Sequence, residues 1–101
     1  MDKPITGIVI DDDLDTVAVF TEYLNLKGIE VIGMGYNGKD AVDLYKAHKP
    51  DFVFLDIMMP DFDGLYAIEK IFDYDSNAKI IVVTADVSSG TKEIGRAHVW
   101  T

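Results

Sequence analysis

Three short segments of the chain are apolar at nearly every position. They are residues 5–10 (ITGIVI), 51–57 (DFVFLDI) and 79–84 (KIIVVT), and they are rich in β-branched and aromatic residues. Such runs are typical of strands that are buried on both faces, because a strand with one solvent-facing side alternates apolar and polar positions. A fourth segment, residues 29–36 (IEVIGMGY), contains glycines, as a strand nearer a sheet edge often does. The pattern therefore predicts four strands.

Segments with helical periodicity separate the predicted strands. The first helix is predicted over about residues 14–27, where apolar residues recur every three or four positions and Gly28 follows as a helix-ending residue. Two more are predicted at about residues 39–46 and 64–72, and a fourth begins after Val87. Because strands and helices alternate, we expect right-handed crossovers, and hence an α/β fold whose parallel sheet is covered by helices on both sides.

The composition of the 101-residue chain is that of a single globular domain. Hydrophobic residues make up 49% of it and charged residues 27%, a balance that excludes a disordered chain. The N-terminus has no signal-peptide pattern and no apolar run reaches the roughly 18 residues of a membrane span, so we predict a cytoplasmic protein. The net charge of −9 disfavours direct binding to nucleic acid or to an anionic membrane.

Aspartates follow two of the predicted strands at the point where each strand ends. Asp11 and Asp12 come after the first strand, and Asp56 comes after the third. Because the carboxyl ends of parallel strands meet at one edge of the sheet, we expect the three carboxylates to lie close together. Neighbouring carboxylates repel one another unless a cation is bound, and a chain without cysteine must hold a metal through oxygen or imidazole ligands. This edge of the sheet is therefore a candidate Mg²⁺ site.

Other polar residues belong to the same edge. Thr84 ends the last apolar segment, and its hydroxyl could hydrogen-bond an oxygen of an arriving phosphoryl group. Asp13 and Asp15 also follow the first strand, but for these two we favour a capping role at the N-terminus of the first helix.

Taken together, these features closely resemble the receiver domain of response regulators. The acidic pair, the later aspartate and the strand-ending hydroxyl are all present between Ile5 and about Lys92, and the most specific stretch is DIMMPDFDG, residues 56–64. The resemblance implies a flavodoxin-like, doubly wound parallel sheet with strand order 2-1-3-4. It also implies a phosphoacceptor module of a two-component signal transduction system, which is not an enzyme but assists its own phosphorylation and dephosphorylation.

The resemblance further implies roles for individual residues. Asp56 would be the phosphoacceptor and would attack the phosphohistidine of a sensor histidine kinase or phosphotransfer protein. Asp12 and Asp56 would bind Mg²⁺ directly, and Asp11 would bind it through water. The main-chain carbonyl of Met58 would complete the protein's share of the ligands. Thr84 would be drawn toward the phosphoryl group, and this movement would change the surface seen by an output partner that the sequence does not identify.

The C-terminal part of the chain departs from the family's pattern. The family's lysine at the end of a fifth strand is not found, so we predict that the fifth strand and fifth helix are missing and that the receiver domain, residues 1–92, is incomplete. Residues 93–101 (EIGRAHVWT) resemble the translation of a synthetic oligonucleotide, and we predict that they are a non-native tail. The edge of the fourth strand would then be exposed, and two chains could associate through it.

Three alternative functions stay open. A phosphatase of the haloacid dehalogenase type also uses strand-end carboxylates with Mg²⁺, although its acid pair flanks one intervening residue, whereas Asp11 and Asp12 are adjacent. A calcium-binding module is suggested by DYDSN, residues 73–77, but the later positions of an EF-hand loop do not match. The third alternative is a receiver fold that serves only for interaction and is no longer phosphorylated.

Overall fold

Strands and helices alternate along the chain in the computed structural model, which describes residues 3–57, 59, 64–83 and 98–100. The elements are β1 (Ile5–Ile10), α1 (Leu14–Leu26), β2 (Ile29–Gly35), α2 (Gly38–His48), β3 (Phe52–Leu55), α3 (Gly64–Tyr74), β4 (Ile80–Val83) and β5 (His98–Trp100). The four predicted strands and the first three predicted helices are confirmed, with ends that differ by one or two residues. The fourth predicted helix, after Val87, lies outside the described residues. Within the described ranges, no helix meets the length and apolar character that a membrane crossing requires.

The five strands form one parallel sheet. Its order is β2-β1-β3-β4-β5, which confirms the predicted order 2-1-3-4 for the first four strands. The chain connection from β1 through α1 to β2 runs toward one edge, and the later strands are added on the other side of β1. The sheet is therefore doubly wound, with β1 and β3 at its centre.

The prediction that a fifth strand is missing is wrong. Residues His98–Trp100 form β5, which pairs in parallel with β4 through Ile81, Val82 and Val83. The backbone N–H and C=O groups along the outer edge of β4 favour any extended segment that can pair with them. This pairing also corrects the prediction of an exposed β4 edge, and with it the proposed self-association through that edge. The assignment of residues 93–101 to a non-native tail stays a prediction.

Local interactions fix where the first two helices begin. A side-chain oxygen of Asp13 accepts a hydrogen bond from the Asp15 backbone N–H at 3.1 Å, which confirms Asp13 as the N-cap of α1. The Asn37 side chain caps α2 in the same way, accepting from the Asp40 N–H at 2.8 Å. Helix α2 ends at His48 and is capped by Lys49, whose backbone is left-handed with φ 47°. The two caps position the turns that follow β1 and β2.

The apolar strands separate two hydrophobic clusters. Ile8 and Ile10 of β1 face α2 and α3, and Val9 faces α1, as expected for side chains that alternate along a strand. All three are almost completely buried. The carboxyl ends of β1 and β3 are therefore held by packing on both faces of the sheet, which makes them a rigid base for a functional site.

A polar contact joins the ends of α2 and α3. The buried Tyr45 donates its hydroxyl proton to the Asp75 carboxylate at 2.7 Å, and the Tyr74 ring packs edge-on against the Tyr45 ring. The hydroxyl of Tyr45 and the backbone N–H of Asn77 lower the pKa of Asp75, while burial and then Asp75 raise the pKa of Tyr45. The segment 73–77 is thus the end of α3 followed by a turn, and its central carboxylate binds the Tyr45 hydroxyl of α2, which argues against a calcium loop.

One hydroxyl on the inner side of α1 suggests a stabilising substitution. The Oγ1 atom of Thr21 is buried and has no hydrogen-bond partner among the described residues. Because a buried, unsatisfied hydroxyl costs free energy, Thr21→Val should raise the free energy of unfolding by about 1 kcal/mol. Urea denaturation measures this change. Thr16→Val is the matched control in the same helix: the Thr16 hydroxyl donates to Asp13 at 2.9 Å, so this variant should lose stability. A loss of stability in both variants would contradict the interpretation of Thr21.

Candidate functional site

The candidate site lies at the carboxyl ends of the two central strands. Asp11 follows β1 directly and Asp56 follows β3, and the last residues of these strands, Ile10 and Leu55, are paired in register. The Asp56 backbone N–H donates to the Ile10 carbonyl at 2.9 Å, and the Asp11 N–H donates to the Gly35 carbonyl at 3.2 Å. Both aspartates are therefore held by the sheet at the same level, and their side chains are brought to one edge.

Three carboxylates converge at this edge. Asp11, Asp12 and Asp56 each offer one oxygen atom, and the three oxygens all lie within 4.8 Å of one another. Asp11 and Asp56 are half-buried and Asp12 is exposed. Among the described residues, this is the one group of three or more His, Asp or Glu side chains with the spacing of a metal site. Three hard oxygen donors at this spacing match the preference of Mg²⁺ for carboxylates.

The electrostatics of the cluster are unfavourable without a cation. The pKa of Asp11 is raised from 3.8 to about 6, chiefly by burial; the backbone N–H of Asp13 opposes this rise, and the nearby carboxylates of Asp56 and Asp12 add to it. That N–H donates to the Asp11 carboxylate at 2.9 Å. By contrast, the hydroxyl of Thr16 and the N–H of Asp15 lower the pKa of Asp13. Asp11 and Asp13 thus have different roles, since Asp13 caps a helix whereas Asp11 carries a charge that the fold disfavours.

A small cavity lies beside the carboxylates. Its volume is about 60 Å³, enough for a few water molecules. The polar side is formed by Asp11, Asp56 and Thr16, and the apolar walls include the rings of Phe20 and Phe54. An apolar wall weakens dielectric screening, so a charge placed here interacts strongly with the carboxylates.

Gly64 lies in close contact with the backbone at Asp56 and Ile57. A Cβ atom at this position would lie 2.5 Å from the Cα of Ile57 and 3.0 Å from the carbonyl oxygen of Asp56. Only glycine therefore allows the start of α3 to approach the strand end this closely. The sequence contains the signal for this contact, a glycine at the N-terminus of a predicted helix, but which backbone it approaches could not be inferred from the sequence.

Two of the predicted site residues lie outside the described residues. They are Met58, predicted to offer its carbonyl oxygen, and Thr84, predicted to offer its hydroxyl. Their roles stay predictions, while the structure brings together Asp11, Asp12 and Asp56. The residues that sequence reasoning missed are Phe20 and Phe54, because an aromatic residue in a helix or strand carries no mark of the cavity it will line.

Comparisons with known proteins agree with this geometry. Residues 8–97 match the family model described as the response regulator receiver domain. The chemotaxis protein CheY of Treponema pallidum is 38% identical over 84 residues, which cover 81% of this chain and 58% of that protein. CheY of Thermotoga maritima is 41% identical over 78 residues, 77% of this chain and 65% of that protein. The chain thus spans less than two thirds of the length of these curated relatives.

Solved structures share the fold. A chain in the crystal structure of the CheX–CheY–BeF₃–Mg²⁺ complex from Borrelia burgdorferi has a TM-score of 0.86 and 28% identity, with 97% of this chain and 79% of that chain covered. The response regulator TrrA of Thermotoga maritima, in complex with Mg²⁺ and beryllofluoride, has a TM-score of 0.82 and 28% identity, with 95% and 85% covered.

Proposed function

The chain belongs to the response regulator receiver domain family, and from this premise we propose that it is a phosphoacceptor module of a two-component signal transduction system. The observation that carries the proposal is the convergence of Asp11, Asp12 and Asp56 at one end of the central strands. The same membership disfavours the phosphatase of haloacid dehalogenase type, whose acid pair has a different spacing.

Asp56 is proposed to receive the phosphoryl group. An oxygen of its carboxylate attacks the phosphorus of a phosphohistidine on a sensor kinase or phosphotransfer protein, and the phosphorus–nitrogen bond breaks. The imidazole leaves with the electron pair and takes up a proton, and an aspartyl phosphate remains on Asp56. Two observations support Asp56 for this role: it directly follows the central strand β3, and it lines the small cavity together with Asp11.

The other residues of the cluster are proposed to hold Mg²⁺. The three carboxylate oxygens lie within 4.8 Å of one another, a spacing that suits a shared Mg²⁺ ion. We propose that Asp11 would act on the ion through water. Asp12, Asp56 and the Met58 carbonyl would bind directly. When bound, the ion would neutralise the charge that develops on the phosphoryl oxygens.

Signal output is proposed to follow from Thr84. Its hydroxyl would bond a phosphoryl oxygen on Asp56, and the accompanying movement would alter the surface near the end of β4. A sensor histidine kinase or phosphotransfer protein would be the donor, and the output partner would be a protein that distinguishes the two surfaces. We place these reactions in the cytoplasm. The chain would assist its own phosphorylation and dephosphorylation only through the groups already named.

Beryllofluoride, a phosphoryl analogue, tests the proposal directly. With Mg²⁺ present, fluorine NMR should show a bound beryllofluoride signal on the 101-residue chain, and EDTA should remove it. Asp43→Asn is a suitable control because Asp43 is exposed on α2 and pairs with Lys39 across one helical turn. This variant should bind the analogue normally. Mg²⁺ binding without any beryllofluoride signal would favour the alternative of an interaction module that is no longer phosphorylated.

A further inference from the structure

A second polar groove lies at the opposite edge of the sheet, where β1, β3 and β4 begin. Its volume is about 590 Å³. It is lined by Lys3, Pro4, Ile5, Thr6, Lys49, Asp51, Phe52 and Lys79. Strand β1 alone places this amino-edge groove roughly 17 Å from the aspartate cluster, since it contains six residues and each residue step adds about 3.3 Å. The two sites are therefore separate.

The amino-edge groove is positively charged in a chain whose net charge is −9. All three of its lysines are exposed, and none has a carboxylate within ion-pair distance, because Lys39–Asp43 is the one ion pair between described residues. The single carboxylate of the groove, on Asp51, already accepts hydrogen bonds from the Thr6 N–H at 2.9 Å and from the Thr6 hydroxyl at 3.2 Å. Three lysine ammonium groups thus line one groove, and its single carboxylate is already hydrogen-bonded to Thr6.

The backbone of Lys49 is strained. It is the one non-glycine residue with positive φ in the described part of the chain, and it ends α2, a position where glycine is favoured. A basic residue does favour the C-terminal end of a helix, but Lys46 and His48 already supply basic side chains to the last turn of α2. A lysine at this position therefore costs backbone free energy that its helix does not require. Its charge is the last of the causes that lower the pKa of Asp75, so the outlier points to a further use for the side chain.

We propose that the amino-edge groove binds a small multivalent anion of the phosphate class. Lysine ammonium groups bind phosphate oxygens as point charges, and three of them suit a ligand with two or more phosphates. Pro4, Ile5 and the half-buried Phe52 give the groove apolar walls, so it can take an organic phosphate as well as an inorganic one. This site goes beyond the proposed phosphoacceptor function and does not depend on it.

Titration with inorganic tripolyphosphate at low ionic strength tests the proposal. EDTA is included so that no Mg²⁺ can bridge the anion to the aspartate cluster. Amide NMR signals of Thr6, Lys49 and Phe52 should shift in a saturable manner, whereas those of Asp11 and Asp56 should not. Lys79→Ala should weaken binding about tenfold, because a charge-assisted hydrogen bond is lost.

The variant Lys49→Gly tests whether the Lys49 side chain binds the anion or serves only the stability of the fold. Glycine relieves the backbone strain, so this variant should unfold at a higher urea concentration than the parent chain while its tripolyphosphate affinity falls about tenfold. Lys27→Ala, which makes the same charge change at the end of α1 and outside the groove, should bind as the parent does. An equal loss of affinity in Lys27→Ala would overturn the proposal, because it would show that only net charge matters. Binding of a poly-glutamate peptide but not of tripolyphosphate would overturn the assigned ligand class.

Discussion

Asp56→Asn should abolish phosphorylation of the chain by acetyl phosphate. Of the three clustered carboxylates, Asp56 is the one placed at the end of β3, with the small cavity beside it. Asparagine keeps the size of the side chain but lacks the anionic oxygen that attacks phosphorus, so no aspartyl phosphate can form. The loss should be complete and not merely a slower reaction. Intact-mass spectrometry after incubation with acetyl phosphate and Mg²⁺ measures it.

Two comparisons make this result specific. Asp43→Asn, on the exposed face of α2, should be phosphorylated as the parent chain is. Far-ultraviolet circular dichroism should show that Asp56→Asn is folded, since the substitution removes a negative charge from a cluster that repels itself. Peptide mapping that places the phosphoryl group on another aspartate, such as Asp61 or Asp63, would refute the assignment of Asp56.

Asp11→Asn should be more stable than the parent chain without Mg²⁺ and should lose this advantage when Mg²⁺ is present. The pKa of Asp11 is raised from 3.8 to about 6, mainly by burial, so the native state holds this proton more tightly than the unfolded state does. The free energy of unfolding of the metal-free chain should therefore decrease as the pH rises from about 4 to about 6, and the penalty should be fully present above pH 6. Asparagine cannot ionise, so it removes this free-energy penalty, and its side-chain oxygen can still accept a hydrogen bond from the Asp13 N–H.

The expected gain for metal-free Asp11→Asn at pH 7 is roughly 1 kcal/mol. This is about a third of what the full change in pKa would give, because the carboxylate is partly exposed and solvent screens it. With Mg²⁺ at ten times its dissociation constant, the parent chain should gain about 1.4 kcal/mol, whereas Asp11→Asn should gain much less. Urea denaturation at pH 4 and 7, with and without Mg²⁺, measures both effects.

The variant Asp12→Asn separates the stability gained from Mg²⁺ binding from the stability gained by removing a carboxylate from the metal-free cluster. Asp12 is the exposed member of the cluster, so its replacement should remove the Mg²⁺-dependent gain in stability with little of the metal-free gain. If Mg²⁺ stabilises Asp12→Asn as much as it stabilises the parent chain, Asp12 is not a ligand. If metal-free Asp11→Asn is less stable than the parent at pH 7, the ionised Asp11 carboxylate does not destabilise the native state, and the prediction is wrong.

The features that the sequence predicts best are local ones, which depend on the residues of a single strand or turn. The segments that form β1, β3 and β4 are apolar at nearly every position, which is typical of strands buried on both faces, and the place of Asp13 before a helix predicts its capping role. It was the order of elements that predicted the meeting of Asp11 and Asp56, because the carboxyl ends of parallel strands share an edge. The receiver resemblance supplied the strand order.

What could not be predicted depends on contacts between distant residues. Strand β5 is three residues long, too short for any hydrophobic periodicity, and it is defined by its pairing with β4. The hydrogen bond between Tyr45 and Asp75 joins residues 30 positions apart. The raised pKa of Asp11 follows from how deeply one carboxylate is buried, and adjacent aspartates in a sequence carry no information about burial.

The backbone hydrogen bonds of Asp11 and Asp56 have a kinetic consequence. Asp56 donates its N–H group to Ile10 at the end of the central strand β1, and Asp11 donates to Gly35 at the end of the edge strand β2, so the backbone of both residues is anchored to the sheet, where amide hydrogen exchange is slow. Local fluctuations of loops or helix ends leave the backbone of Asp11 and Asp56 in place, and the repulsion between their carboxylates is relieved by a cation or by protonation. The ion therefore meets a site that is already assembled. Its association rate should be set by the loss of water from Mg²⁺ and not by a rearrangement of the protein.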